Sequence, residues 1–94
     1  MKYIICEEPN KFVLKEKETP NRTENEALIK IHRVGICGTD LHAYSGNQAF
    51  FVYPRILGHE LAGEVLEIDG NSQNLKVGDN IIVMPYVNCG KCLA

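Results

Sequence analysis

Six residues in the middle of this 94-residue chain could bind a metal ion or move a proton: Cys37, Thr39, Asp40, His42, His59 and Glu60. They fall in two short stretches, Gly35-Ile36-Cys37-Gly38-Thr39-Asp40-Leu41-His42 and Gly58-His59-Glu60. Zinc accepts thiolate, imidazole and carboxylate donors, and a catalytic zinc keeps one coordination position open. Cys37 and His59 offer a sulfur and an imidazole, and Glu60 adds a carboxylate next to that imidazole. A glycine beside each ligand reads as room for the backbone to approach an ion without a Cβ in the way. The competing reading is a buried cysteine and an incidental surface His-Glu pair, because a free cysteine usually behaves as a small hydrophobe. Farther on, Cys89-Gly90-Lys91-Cys92 supplies half of a tetrahedral four-thiolate zinc site. A redox dithiol competes with that reading, without the βαβ context it would need, and so does a surface pair that holds no metal. Half a site holds metal weakly, so the unligated pair is favoured for these 94 residues, with one ion shared between two chains as the alternative.

Short strands must position these groups. Lys2 to Cys6 and Phe12 to Glu16 are β-rich and separated by Pro9-Asn10, which predicts a hairpin. Glu26 to Gly35 alternates Ala27, Ile29 and Ile31 with Leu28, Lys30 and His32, the pattern of a half-buried strand. Thr39 and Asp40 are both credible N-caps for a short helix running toward Tyr44 and ending at Ser45-Gly46. A loop with Phe50, Phe51 and Tyr53 follows, then a strand from Glu60 to Ile68 with Ala62, Glu64, Leu66 and Ile68 on one face. Turns are expected at Asp69-Gly70-Asn71 and Val77-Gly78-Asp79, the second leading into a buried-looking strand from Ile81 to Met84. Strands with glycine-rich turns and one short helix predict a mainly β, barrel-like domain.

Composition narrows the function. Hydrophobic residues make up 45% and charged residues 23%, ordinary for a globular domain, and the formal net charge is −2. Lys and Arg are interspersed with Glu and Asp, which argues against a nucleic-acid partner. No apolar run is long enough to cross a bilayer, and Met1 to Glu8 is too short in apolar character for a signal peptide. A cytoplasmic protein is expected. The four cysteines, with two arranged as Cys-x-x-Cys and no secretion signal, favour metal over disulfides.

The three motifs together resemble those of the zinc-dependent medium-chain alcohol and polyol dehydrogenases. Gly35-Ile36-Cys37-Gly38-Thr39-Asp40-x-His42 and Gly58-His59-Glu60-x-x-Gly63 are similar to that family's catalytic-zinc motifs. Asn88-Cys89-Gly90-Lys91-Cys92 resembles the start of its structural-zinc lobe, in the same order and spacing. Glu26-Ala27-Leu28-Ile29-Lys30 and Val77-Gly78-Asp79 extend the likeness over nearly the whole chain. The resemblance implies a GroES-like, partly open β-barrel with one short helix. It implies that Cys37 and His59 bind the catalytic zinc, with Glu60 either a ligand, as in polyol and threonine dehydrogenases, or a neighbour that exchanges with water. Asp40 would orient the His59 imidazole, Thr39 would touch the substrate hydroxyl and begin a proton relay, and His42 would end that relay at solvent. For Thr39 the competing role is a plain helix cap, and for His42 a solvated helix face. Cys89 and Cys92 would belong to a second zinc, whose two remaining cysteines are expected shortly downstream.

The resemblance further implies hydride transfer from a secondary alcohol to NAD or NADP, with the nicotinamide held by a Rossmann domain absent from these residues. Residues 1–94 are therefore expected to be a fragment, cut within the structural-zinc lobe and inactive alone, of an enzyme that is a homo-oligomer when complete. The stretch Gly46-Asn47-Gln48-Ala49-Phe50-Phe51-x-Tyr53-Pro54-Arg55 is most similar to members that oxidise sugar acids such as hexonates, with sorbitol-type enzymes next. A zinc-free reductase of the same superfamily lacks the Cys-Gly and Gly-His-Glu ligands that this chain has. A GroES-like scaffold without catalysis has no need of Cys37, Asp40, His42 and His59 together. Cys6 is expected to fill the core and His32 to be solvated, while Tyr44, Phe50, Phe51 and Tyr53 line a substrate pocket or simply cover a loop. Asp69 stands where the family usually has glycine, which questions the geometry of that turn but not the zinc chemistry.

Overall fold

The computed structural model describes every residue except Asn88, Leu93 and Ala94. Among the described residues, five strands and one helix follow one another as β1 (Lys2–Glu8), β2 (Lys11–Glu16), β3 (Leu28–Gly35), α1 (Gly38–Ser45), β4 (Glu60–Glu67) and β5 (Asn80–Val83). The predicted hairpin is present: β1 and β2 pair antiparallel around Pro9-Asn10, where Asn10 takes φ 65°. The other three strands form an antiparallel sheet in the order β3-β4-β5. The two sheets are separate, so the mainly β architecture with one helix is as expected and the barrel is open. Extents of 41 × 39 × 21 Å fit a flattened slab.

The hairpin and the helix hold each other. Asn10 donates its backbone N–H to the Tyr44 carbonyl at 2.7 Å, and the Tyr44 hydroxyl donates to the Asn10 carbonyl at 3.1 Å. The Tyr44 ring lies 4.6 Å from that of Phe12. The aromatic loop is tied in as well, through reciprocal backbone bonds between Cys6 and Arg55 at 2.8 and 2.9 Å and a Tyr53 hydroxyl donated to the Ala43 carbonyl. Cys6 is fully buried, as its apolar strand predicts.

Three expectations need correction. The helix is capped by Cys37, not by Thr39 or Asp40, because the Asp40 carboxylate reaches back to the Cys37 N–H at 3.0 Å and starts the helix earlier. On β4, whose faces the sequence left unranked, the buried residues are Gly63 and Val65, with Gly63 against the β3 backbone. The strand expected to be buried from Ile81 to Met84 is an edge strand over Asn80–Val83, and Ile82 and Met84 are exposed because no described layer covers them. The half-buried pattern expected of β3 is weaker too: Ile31 and Val34 are exposed.

Candidate metal centre

The register of one strand pair assembles the site. Gly35 at the end of β3 faces Glu60 at the start of β4. Cys37 lies two residues beyond Gly35 and His59 one residue before Glu60, so both emerge from the same end of the ladder. Gly58, with φ 111°, turns the chain into β4 in a conformation that side chains rarely adopt, and a Cβ there would press on Val34. Gly38 needs no such explanation, because a Cβ built on it meets nothing within 4 Å. Of the two glycines flanking the ligands, only the one before His59 is sterically required.

Cys37 Sγ and His59 Nε2 stand 3.3 Å apart. Two such donors on one tetrahedral zinc would be separated by roughly 3.5 Å, so the pair fits the ion with little adjustment. Asp40 completes the only group of three metal-binding side chains among the described residues, yet its oxygens are already used. Oδ1 lies 3.4 Å from His59 Nδ1, and Oδ2 accepts the Cys37 N–H. An aspartate on the far ring nitrogen fixes the tautomer that leaves Nε2 free to bind metal. The donor set therefore suits a soft divalent ion with open positions, held by Cys37 and His59 and braced by Asp40. The Thr39 hydroxyl lies 2.8 Å from Cys37 Sγ.

Two expected participants stand apart. The Glu60 carboxylate is folded over Gly35 and is not in the cluster. His42 is exposed on α1, where its carbonyl accepts from Asn47 and Ser45. Cys89 and Cys92 are exposed, with sulfurs 3.2 Å apart. The Lys91 backbone N–H, with further help from Cys92, pulls the Cys89 thiol down to about 7, so Cys89 offers a partly ionised sulfur. Asn88, the first residue of that motif, lies outside the described residues.

Beside His59 and Glu60 runs an open groove of about 470 Å³ whose other wall is Ile82, Val83, Met84, Pro85 and Tyr86. Sequence reasoning missed this wall, since it read the segment as a buried strand. The aromatics offered as pocket lining serve elsewhere: Tyr44 packs on Phe12, Tyr53 bonds to α1 and Phe51 lies 4.3 Å beneath the Arg55 guanidinium. Phe50 is fully exposed. His32 is exposed, as expected, 3.2 Å from Glu64.

The family model for the alcohol dehydrogenase GroES-like domain matches residues 23–94. The chain belongs to this family. L-galactonate-5-dehydrogenase of Escherichia coli K12 is 52% identical to it over 94 residues, which is all of this chain and 28% of that protein. An uncharacterized zinc-type alcohol dehydrogenase-like protein of Haemophilus influenzae is 47% identical over 93 residues, 98% of this chain and 27% of the relative. Among solved structures, a short chain alcohol dehydrogenase from E. coli CFT073 complexed with NADH superimposes with a TM-score of 0.82 at 36% identity. That match covers 99% of this chain and 27% of the other. The GroES-like chain thus spans a little over a quarter of the relatives it matches.

Proposed function

We propose that residues 1–94 are the zinc-bearing front of a catalytic domain that oxidises a secondary alcohol, with hydride passed to NAD or NADP bound by another part of a longer protein. The observation that carries this reading is the Cys37–His59 pair, 3.3 Å apart at the end of one β-ladder, with Asp40 on the far side of the imidazole. Relatives named as zinc-type and as NADH-bound support the metal and the cofactor class. Likeness to an enzyme named for a sugar acid, together with the loop from Gly46 to Arg55, favours a hexonate or related polyol as substrate.

Cys37 and His59 would hold the zinc, and Asp40 would keep the imidazole in the required tautomer. When bound, zinc supplies Lewis acidity toward a hydroxyl oxygen. Thr39, beside the Cys37 sulfur, would accept the hydroxyl proton of a substrate while passing its own onward, and His42, exposed on α1, would release a proton to water. Glu60, next to His59 in the sequence, would be a ligand in reserve. Cys89 and Cys92 would contribute to a second zinc completed by residues beyond this sequence. A cytoplasmic homo-oligomer without nucleic-acid or membrane partners belongs to the same reading, supported by the interspersed charges and the family likeness. No described helix is long and apolar enough to cross a membrane.

The test is metal content and turnover of the full-length protein, with a panel of sugar acids and sugar alcohols. Cys37→Ser should lower bound zinc by about one equivalent per chain, leave circular dichroism intact and cut kcat/KM by at least about a hundredfold. A Cys37→Ser protein with unchanged zinc and turnover ends the proposal.

A further inference from the structure

We propose that Gly35 is a positioning residue for Glu60: its bare Cα provides the seat that holds the Glu60 carboxylate away from Cys37 and His59. The two residues face each other across the β3–β4 ladder. Facing Cβ atoms in antiparallel pairs normally stand about 4.5–5.5 Å apart. A Cβ at Gly35 would lie 2.9 Å from the Glu60 Cβ and 2.3 Å from its Oε2. The glycine is required for space and not for backbone freedom, because among the described residues the positive-φ glycines are Gly46, Gly58, Gly78 and Gly90. Glu60 follows His59, and Gly35 precedes Cys37 by two residues, so the seat adjoins the metal centre while keeping the carboxylate out of its cluster. A side chain at position 35 would evict the carboxylate, and a zinc held by the adjoining His59 and by Cys37 is the charge that would draw it.

This inference deepens the zinc reading and rests on it. Its test is a double-mutant cycle in the full-length protein with Gly35→Ala, Glu60→Gly and the pair, because alanine at position 60 would keep the Cβ that also meets the new side chain. Zinc release to a chromogenic chelator is read alongside the Tm of the metal-free forms. Gly35→Ala should slow zinc release about tenfold, and the double variant should match Glu60→Gly alone. In the metal-free protein, Gly35→Ala should lower the Tm when Glu60 is present and leave it unchanged in the Glu60→Gly background. Unchanged or faster release in Gly35→Ala, or the same change in both Glu60 backgrounds, overturns the proposal. If Gly35→Ala does not fold, rescue by Glu60→Gly supports the proposal and failure to rescue refutes it. Failure of the zinc reading is separately visible as wild-type zinc that Cys37→Ser does not remove, and the metal-free Tm cycle still decides the seat.

Discussion

Asp40 shows how much one side chain can couple. One oxygen starts the helix by accepting the Cys37 N–H, and the other faces His59 Nδ1. Asp40 thereby holds the backbone of one proposed ligand by a hydrogen bond and stands beside the ring of the other, and at 14% side-chain exposure it is shielded from solvent. Asp40→Asn keeps an acceptor for the Cys37 N–H but loses the negative charge on the imidazole. Its zinc affinity should fall about 10- to 100-fold, measured by chelator competition, while far-UV circular dichroism stays as in the wild type. An unchanged affinity would assign Asp40 to helix capping alone.

At the scale of elements, the β3–β4 register does the assembling, and a clamp elsewhere secures the same strand pair. Arg22, ahead of β3, makes a two-pronged bond to Asp69, just after β4, at 2.7 and 2.9 Å, with Glu67 3.8 Å away. Asp69 does not use left-handed backbone, so the residue that departs from the family's glycine is held by an ion pair. The Arg22 guanidinium keeps its carboxyl below the usual value of 3.8. A carboxyl with a lowered folded pKa stabilises the fold above its unfolded pKa and loses that contribution as pH falls through the folded one. Asp69→Asn should therefore have a slightly lower Tm than wild type at pH 7, the gap closing as pH drops below 3.8. The pair is solvent-exposed, so the effect is small and should shrink in high salt. A gap that persists undiminished at pH 2.5 would assign it to something other than this charge.

Over the whole molecule, the exposed area is the informative quantity. The chain presents 7712 Å², against about 5,400 Å² for a compact monomer of its 10.5 kDa mass. Among the described residues, only Cys6, Ala43 and Val65 are buried apolar side chains. Ile82, Met84, Tyr86 and Val87 lie 69–100% exposed in one continuous segment. Apolar surface of this extent is sticky. The 94-residue chain by itself should enhance the fluorescence of the dye ANS several-fold, and Ile82→Lys with Met84→Lys should reduce that signal. Dye fluorescence at the level of buffer would contradict the exposed surface.

The sequence alone determined the chemistry on offer. A thiol, an imidazole and carboxylates at these spacings pointed to the zinc centre proposed for this chain, and alternating strands around one short helix announced a mainly β domain. These features are local: donor identity, turn chemistry and strand period can be read residue by residue. What only the tertiary structure decided depends on partners distant in the chain. The pairing of Gly35 with Glu60 brings Cys37 and His59, 22 positions apart, to 3.3 Å. It also folds Glu60 away from them, a choice the adjacent His59-Glu60 pair cannot reveal. Burial failed as a local inference for the same reason. An apolar strand such as Asn80–Val83 is buried only if another layer lies against it, and that depends on the surrounding fold, not on the strand's own residues.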